Sequence, residues 1–163
     1  MNTIKLENND TLKFTIYDEN DNDTGEYLEF DLEDIELPLK YQELLNKDLK
    51  NKEWIKNQML IIDKRQDVKG NGYLTKNEED KLKALNEFYK KQEEVYNMFL
   101  GENGVKKLAC GRKLTWTIFD NIDEAIKKEI LPKLDNNMKS ITDKVKAKYN
   151  QAIKEEDEIE VLD

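Results

Sequence analysis

The chain has 163 residues, of which 39% are charged and 37% apolar, and 36 acidic against 27 basic side chains give a formal net charge of -9. The acidic excess argues against a broad nucleic-acid-binding surface, because phosphate contacts need clustered Lys and Arg. No apolar run is long enough to span a membrane, the first ten residues lack the pattern of a secretory signal, and the length favours one domain.

Histidine is absent and Cys110 is the single cysteine. The lack of histidine excludes Ser-His-Asp and Cys-His catalysis and zinc sites that contain His, and one cysteine excludes an internal disulfide. A nucleophilic thiolate needs a base or a cationic pocket, so packing at a helix end is the favoured role of Cys110. The sequence therefore predicts a protein that is not an enzyme and has no cofactor. A single cysteine also fits a reducing cytosol.

The first third of the chain alternates apolar and polar residues, which is the pattern of half-buried strands. The three alternating sets are Ile4 and Leu6; Leu12, Phe14 and Ile16; and Leu28, Phe30 and Leu32. Turn residues 8–10 separate the first two sets. The pattern predicts a three-stranded antiparallel β-meander within residues 1–33, with one face covered by helices.

An acidic segment, residues 18–25, joins the second and third predicted strands and ends in Gly25. This composition predicts an exposed hairpin tip. Crowded carboxylates also suit calcium, which takes several oxygen ligands. A solvated acidic turn is the favoured interpretation.

Apolar residues after Pro38 recur at intervals of three and four, which predicts amphipathic helices. The first helix is predicted over about residues 39–65, with a break near Asn51. Thr75 begins the second helix, because its spacing to Glu78 forms a capping box.

Glycines at 101 and 104 end the second helix, and a short helix is predicted through residues 105–110. Another helix begins at Thr115 and is interrupted by Pro132, which lacks an N–H and clashes with the preceding turn. The predicted fold is thus α+β and mainly α: a meander followed by four or five amphipathic helices. It forms one domain over residues 1–154, with its helical part at 38–154, and an acidic flexible tail at 155–163.

The loop before the second helix resembles an EF-hand calcium loop, with Asp67 at position 1, Asn71 at position 5, Gly72 at the sharp turn and Glu78 at position 12. Position 3 is Lys69, which places an ammonium where the ion needs an oxygen. A structural loop is the favoured interpretation. Asp67, Asn71 and Glu78 are weak metal-binding candidates.

Large aromatic side chains lie on the apolar stripes of the predicted helices. They serve either the core or a groove that binds a protein partner. The candidates are Trp54, Tyr96, Phe99, Trp116 and Phe119.

In the segment 95–114, a helix ends in Leu before Gly-Glu, a Lys pair follows, and a Gly precedes the next amphipathic helix. The residues on this pattern are Leu100, Gly101, Glu102, Lys106, Lys107, Gly111 and Leu114. The segment resembles the small tail assembly chaperones of long-tailed, siphovirus-like phages of Gram-positive bacteria. The similarity covers residues 1–17 and 88–150.

The resemblance implies a non-enzymatic binding protein in the host cytoplasm. Such chaperones keep the helical tape measure protein soluble until tail tube subunits polymerise around it. Its implied partners are the tape measure protein and the tail tube protein, without nucleic acid or membrane. An apolar groove can hold an amphipathic helix, an acidic surface favours solubility, and self-association would bury further apolar surface.

Two alternatives stay open. One is a small acidic phage protein that inhibits a host nuclease or defence factor by mimicking nucleic acid, which would use the charge of -9 and the acidic tip. The 27 basic residues are spread among the acids, which weakens any electrostatic field that resembles that of DNA. The other is a degenerate EF-hand-like module that binds calcium.

Overall fold

The structure is a computed structural model that describes residues 2–6 and 11–162, with side chains described up to residue 156. Within these ranges the chain forms two strands, five α-helices and one π-helical turn. In chain order they are β1 (Thr11–Tyr17), β2 (Asp23–Asp31), α1 (Glu36–Asp63), α2 (Lys76–Leu100), α3 (Gly104–Ala109), α4 (Trp116–Ala125), the π turn (Ile126–Ile130) and α5 (Leu131–Leu162). The prediction of a mainly helical α+β protein with an N-terminal antiparallel sheet is confirmed.

Strands β1 and β2 form an antiparallel hairpin in which Leu12 faces Phe30 and Phe14 faces Leu28. A bulge between Thr15 and Tyr17 shifts the register near the tip. The Phe14 and Phe30 rings meet edge to face at 6.0 Å between their centroids. The hairpin thus presents one apolar face to the helices.

The prediction of a third strand is wrong for residues 2–6, the part of it that the structure describes. These residues form no strand, and Ile4 and Leu6 are exposed. The predicted turn at residues 8–10 lies outside the described residues. Two alternating apolar residues are too few to fix a register against a neighbouring strand.

Helices α1 and α2 pack as an antiparallel hairpin. Helix α1 runs through Asn51 without the predicted break, because the Asn51 amide donates to Gln92 Oε1 across the helix pair at 2.9 Å. Gln92 is buried and its own amide donates to Asp48 Oδ1 at 2.6 Å. Each polar group in this contact is paired, so the burial of the Gln92 amide leaves no polar group without a hydrogen bond.

The predicted helix starts at Thr75 and Thr115 are confirmed. The hydroxyl of Thr75 accepts the Glu78 N–H and that of Thr115 accepts the Ile118 N–H, each at 3.2 Å. Helix α2 ends at Leu100 and is capped by Gly101, whose φ of 96° is one that L side chains rarely adopt. A Cβ added at the buried Gly104 would lie 2.5 Å from Leu100 Cβ, so only glycine fits there.

The predicted interruption at Pro132 is wrong, since α4, the π turn and α5 continue into one another. The Leu131 N–H donates to the Ile126 carbonyl, five residues earlier. This wider turn lies immediately before Pro132, where an ordinary α-helix would place a carbonyl against the proline ring. The π turn therefore lets the helix pass the proline.

The main core lies where the hairpin, α1, the second half of α2, α3 and α4 meet. Leu44, Val105 and Ile126 are fully buried there. Among the described side chains of α5, Leu134 is the last that is buried, and every side chain from Thr142 to Glu156 is exposed. The helical backbone nevertheless continues to Leu162. The flexibility expected of residues 155–163 stays a prediction.

Candidate functional site

An apolar groove lies between the start of α1 and the first third of α5. Its volume is about 320 Å³. The side chains that line it are mostly aliphatic: Leu32, Ile35, Pro38, Leu39, Leu134, Met138 and Ile141, with Asp34 and Thr142 as the polar members. Such a concave, apolar surface with few polar groups is suited to binding an apolar ligand or side chain.

The turn between β2 and α1 positions one wall of the groove. The Asp34 carboxylate accepts the Glu36 N–H at 2.9 Å, and the Asp34 carbonyl accepts the Leu37 N–H at 3.2 Å. These bonds begin α1 and leave Ile35 and Leu39 projecting outward, while Leu37 is buried. Leu39 is 68% exposed, so this wall is apolar surface in contact with solvent.

Helix α5 supplies the opposite wall. Leu134 is buried at the base, Ile141 is half-buried, and Met138 is 44% exposed. These positions recur at intervals of four and three and therefore lie on one face of the helix. The groove is thus built from two segments that are about 100 residues apart in sequence.

Three of the aromatic residues proposed as partner contacts lie in the core. The Phe99 ring contacts Phe30 and Tyr41 at 5.6 and 5.4 Å between centroids. Tyr96 packs on Phe119 at 5.6 Å. Tyr96, Phe99 and Phe119 are at most 5% exposed and offer no surface to a partner.

Two tyrosines of this core have shifted acidities. Burial raises the pKa of Tyr96 well above its ordinary value, and the nearby carboxylates of Asp48 and Asp123 add to the effect. Burial also raises the pKa of Tyr41, again with a contribution from Asp123. Both phenols therefore stay neutral at physiological pH.

The two tryptophans lie nearer the surface, outside the groove. Trp116 stacks on Phe88 at 5.1 Å between centroids and remains 42% exposed. Trp54 is half-buried, with the Lys91 ammonium 4.1 Å above its ring. Trp116 lines a small pocket together with Tyr96 and Phe119. None of the five predicted aromatic contacts lines the groove.

The loop between α1 and α2 is held by its own hydrogen bonds. The Asp67 carboxylate accepts the Asn77 N–H at 3.0 Å, which lowers the pKa of Asp67. Arg65 binds the Asp80 carboxylate at 2.8 Å. Asn71 and Glu78 are exposed, and within the described ranges no three Asp, Glu or Cys side chains are grouped to hold a metal ion. A hollow of about 610 Å³ beside the loop has a mixed charged and apolar lining.

Helix α3 and its flanking turns belong to segment 95–114, and they contact the β1–β2 hairpin. Lys107 lies 3.9 Å from the Glu26 carboxylate and Arg112 lies 3.8 Å from that of Glu19. Cys110 is half-buried in a left-handed conformation, with Sγ 3.5 Å from the Lys107 carbonyl. Its position at the end of α3 matches the predicted packing role.

The apolar residues that recur at intervals of three and four after Pro38 include Leu39, Met138 and Ile141. The sequence pattern did not single them out as a binding surface, and Ile35 was missed. The available signal was weak: Ile35, Leu37 and Leu39 alternate around Pro38, where a strand ends and a helix begins. Such a run does not show which of its members turn inward. The apposition of α5 could not be read from local sequence.

Comparison with the models of known protein families, with curated proteins and with solved structures finds no match to this chain. In the described part of the chain, none of the helices combines the length and apolar content needed to cross a membrane.

Proposed function

We propose that the protein is a non-enzymatic binding protein that holds an amphipathic helix of a partner in the groove between α1 and α5. The observation that carries the proposal is the groove itself, an open apolar channel with walls on two helices. Exposed Ile35, Leu39 and Met138 leave apolar area that a partner helix would remove from water. Recognition would depend on apolar anchors at intervals of three and four on that helix.

The resemblance of residues 95–114 supports an assembly role of the kind that tail assembly chaperones perform. On this proposal the partner is the tape measure protein of a long-tailed phage, a long helix that aggregates when its apolar stripes are bare. The protein would act in the host cytoplasm until the tail tube protein takes its place. The formal charge of -9 would keep the complex soluble.

Co-expression with the tape measure protein of the same phage tests this function. We expect the partner to move from the insoluble to the soluble fraction and to co-purify with the chain. A tape measure protein that stays insoluble with and without the chain would contradict the proposal.

Groove variants localise the binding. Leu39→Glu combined with Met138→Glu places two charges in the apolar channel and should abolish co-purification. The matched control is Leu60→Glu with Leu82→Glu, which alters exposed leucines outside the groove lining and should leave co-purification unchanged. Equal loss in both double variants would mean that the groove is not the binding site.

Salt separates groove binding from nucleic-acid mimicry. Burial of apolar surface persists at high ionic strength, whereas binding through the acidic tip would weaken as the Debye length falls to about 3 Å at 1 M salt. The exposed tip carboxylates, which include Glu19 and Asp21, favour that alternative. A complex with a host nuclease that dissociates at high salt and is unaffected by the groove variants would favour the nuclease-inhibitor function.

A further inference from the structure

Helix α5 extends far beyond the packed part of the molecule. From residue 142 to residue 162 it spans about 30 Å at 1.5 Å per residue. No described side chain from Thr142 onward is buried. Helical stability in proteins comes mostly from packing of an amphipathic face. A bare segment of this length therefore calls for a covering surface.

The apolar face of this segment continues the stripe that lines the groove. Val145 and Tyr149 follow Ile141 at intervals of four residues and are exposed by 62% and 66%. At 3.6 residues per turn, Lys144 and Lys148 lie on one flank of this stripe and Lys146 lies on the other. An apolar seam with charged flanks is the arrangement of helices that pair with helices.

Charge divides the segment into two blocks of opposite sign. Residues 139–154 carry five lysines and one aspartate, whereas residues 155–163 carry six carboxylates and no basic residue. A parallel pair of such helices would set acidic block against acidic block. An antiparallel pair sets the acidic block of each copy against the basic block of the other.

From this block pattern and the bare stripe we infer that two copies of the chain pair through α5 in antiparallel orientation, with the two-fold axis near Ile153. That register brings the acidic block of one copy beside Lys146 and Lys148 of the other. Val145 and Tyr149 lie in the seam. The overlap is about two dozen residues or fewer per chain, so the pair belongs to the weak class of interfaces that dissociate on dilution.

This register leaves the groove of each copy uncovered. Met138 lies about 15 residues from the two-fold axis, which separates the two grooves by about 45 Å along the paired helices. Only this consequence rests on the proposed function: a dimer would offer one long helical partner two grooves, and binding at the second would then be intramolecular.

The first measurement is the solution mass of the purified chain without any partner, by sedimentation at micromolar to millimolar concentrations. We expect the mass to rise from 19.3 kDa towards twice that value. Raising NaCl from about 0.1 M to about 1 M shortens the Debye length from about 10 Å to about 3 Å and should weaken the dimer. A single-chain mass at every concentration, or a dimer indifferent to salt, overturns the inference.

Charge reversal tests the orientation. Lys144, Lys146 and Lys148, all changed to Glu, make α5 acidic in both blocks. Glu155, Asp157 and Glu160, all changed to Lys, leave the acidic block without net charge, because three carboxylates remain beside the three new lysines. Each triple variant alone should have an apparent dissociation constant raised by at least about tenfold. An equimolar mixture of the two should form heterodimers. Failure of the mixture to associate overturns the antiparallel pairing.

The matched control changes Lys50 and Lys56 on the exposed surface of α1, and Lys64 just after its last residue, to Glu, which alters the net charge by the same amount as the first triple variant. This control should dimerise like the unaltered chain. Equal dissociation of the control would show that net charge, rather than α5, governs association. Circular dichroism of each variant checks that the packed part remains folded.

Discussion

The second half of α2 and the second half of α5 carry the same kind of apolar periodicity but have different surroundings. Phe99 of α2 is 3% exposed and contacts aromatic rings from β2 and α1, whereas Tyr149 of α5 is 66% exposed. The difference shows that periodicity identifies the apolar face of a helix without stating whether the same chain covers it.

The largest expected difference between the two regions lies in their aromatic residues. Phe99→Ala should lower the free energy of unfolding by about 3–5 kcal/mol, because it empties a fully packed position. Tyr149→Ala, measured by urea denaturation at the same dilute protein concentration, should change it by no more than about 0.5 kcal/mol. Comparable losses of unfolding free energy in the two variants would mean that α5 is packed in the monomer. The two helices would then not differ in their surroundings.

A polar contact inside the packed region should have the next largest effect. Gln92→Leu removes the two hydrogen bonds that Gln92 makes to Asn51 and Asp48 of α1 and leaves the Asn51 amide without its acceptor. We expect a loss of about 1–3 kcal/mol in urea denaturation. Asn86→Leu, at an exposed position of α2, is the control and should lie within about 0.5 kcal/mol of the unaltered chain.

A helix cap should have a smaller effect. Thr115→Ala removes the acceptor for the Ile118 N–H at the start of α4 and should cost about 1 kcal/mol. Thr115→Ser keeps the hydroxyl and should recover most of that stability. Thermal unfolding of the two variants side by side decides whether the hydroxyl is responsible.

The smallest effect concerns pH at the ion pair between Arg65 of the α1–α2 loop and Asp80 of α2. The hydrogen bond from Arg65 holds the pKa of Asp80 below its ordinary value of 3.8. A lowered pKa in the folded state contributes stability above the unfolded-state pKa, and this contribution is lost as pH falls through the folded-state pKa. Asp80→Asn should therefore slightly flatten the acid limb of stability against pH.

The Asp80 prediction has a direct readout in the NMR titration of its carboxyl carbon. The midpoint should lie below 3.8 in the unaltered chain and should rise in Arg65→Gln. A midpoint that does not move in this variant would contradict the assigned cause. The core tyrosines provide a contrast, because the pKa of Tyr96 and that of Tyr41 are raised, mainly by burial, whereas the pKa of Asp80 is lowered by a hydrogen bond.

Local chemistry made much of the fold predictable. The hydroxyls of Thr75 and Thr115 and the glycine at 101 act on backbone groups within a few residues, so the limits of α2 and the start of α4 followed from sequence. Asn51 and Pro132 misled the prediction for two different reasons. Gln92, which is distant in the chain, stabilises α1 at Asn51. The wider π turn accommodates Pro132.

The proposed binding surface was less predictable than the fold. Large aromatic residues were candidates either for the core or for partner contacts, and Tyr96, Phe99 and Phe119 fill the core because they bury the most apolar area. The groove instead uses aliphatic side chains from segments far apart in the chain, which only their apposition brings together.

The sequence by itself determined the mainly helical α+β fold class, the apolar faces of the helices, most helix ends and the charge blocks of α5. Each of these depends on residues within a few positions of one another. Only the tertiary structure decided which apolar stripes are covered, that Ile4 and Leu6 join no strand, and that α1 and α5 enclose a groove. The physical reason is that burial depends on contacts between segments distant in the chain, whereas periodicity and capping depend on neighbours.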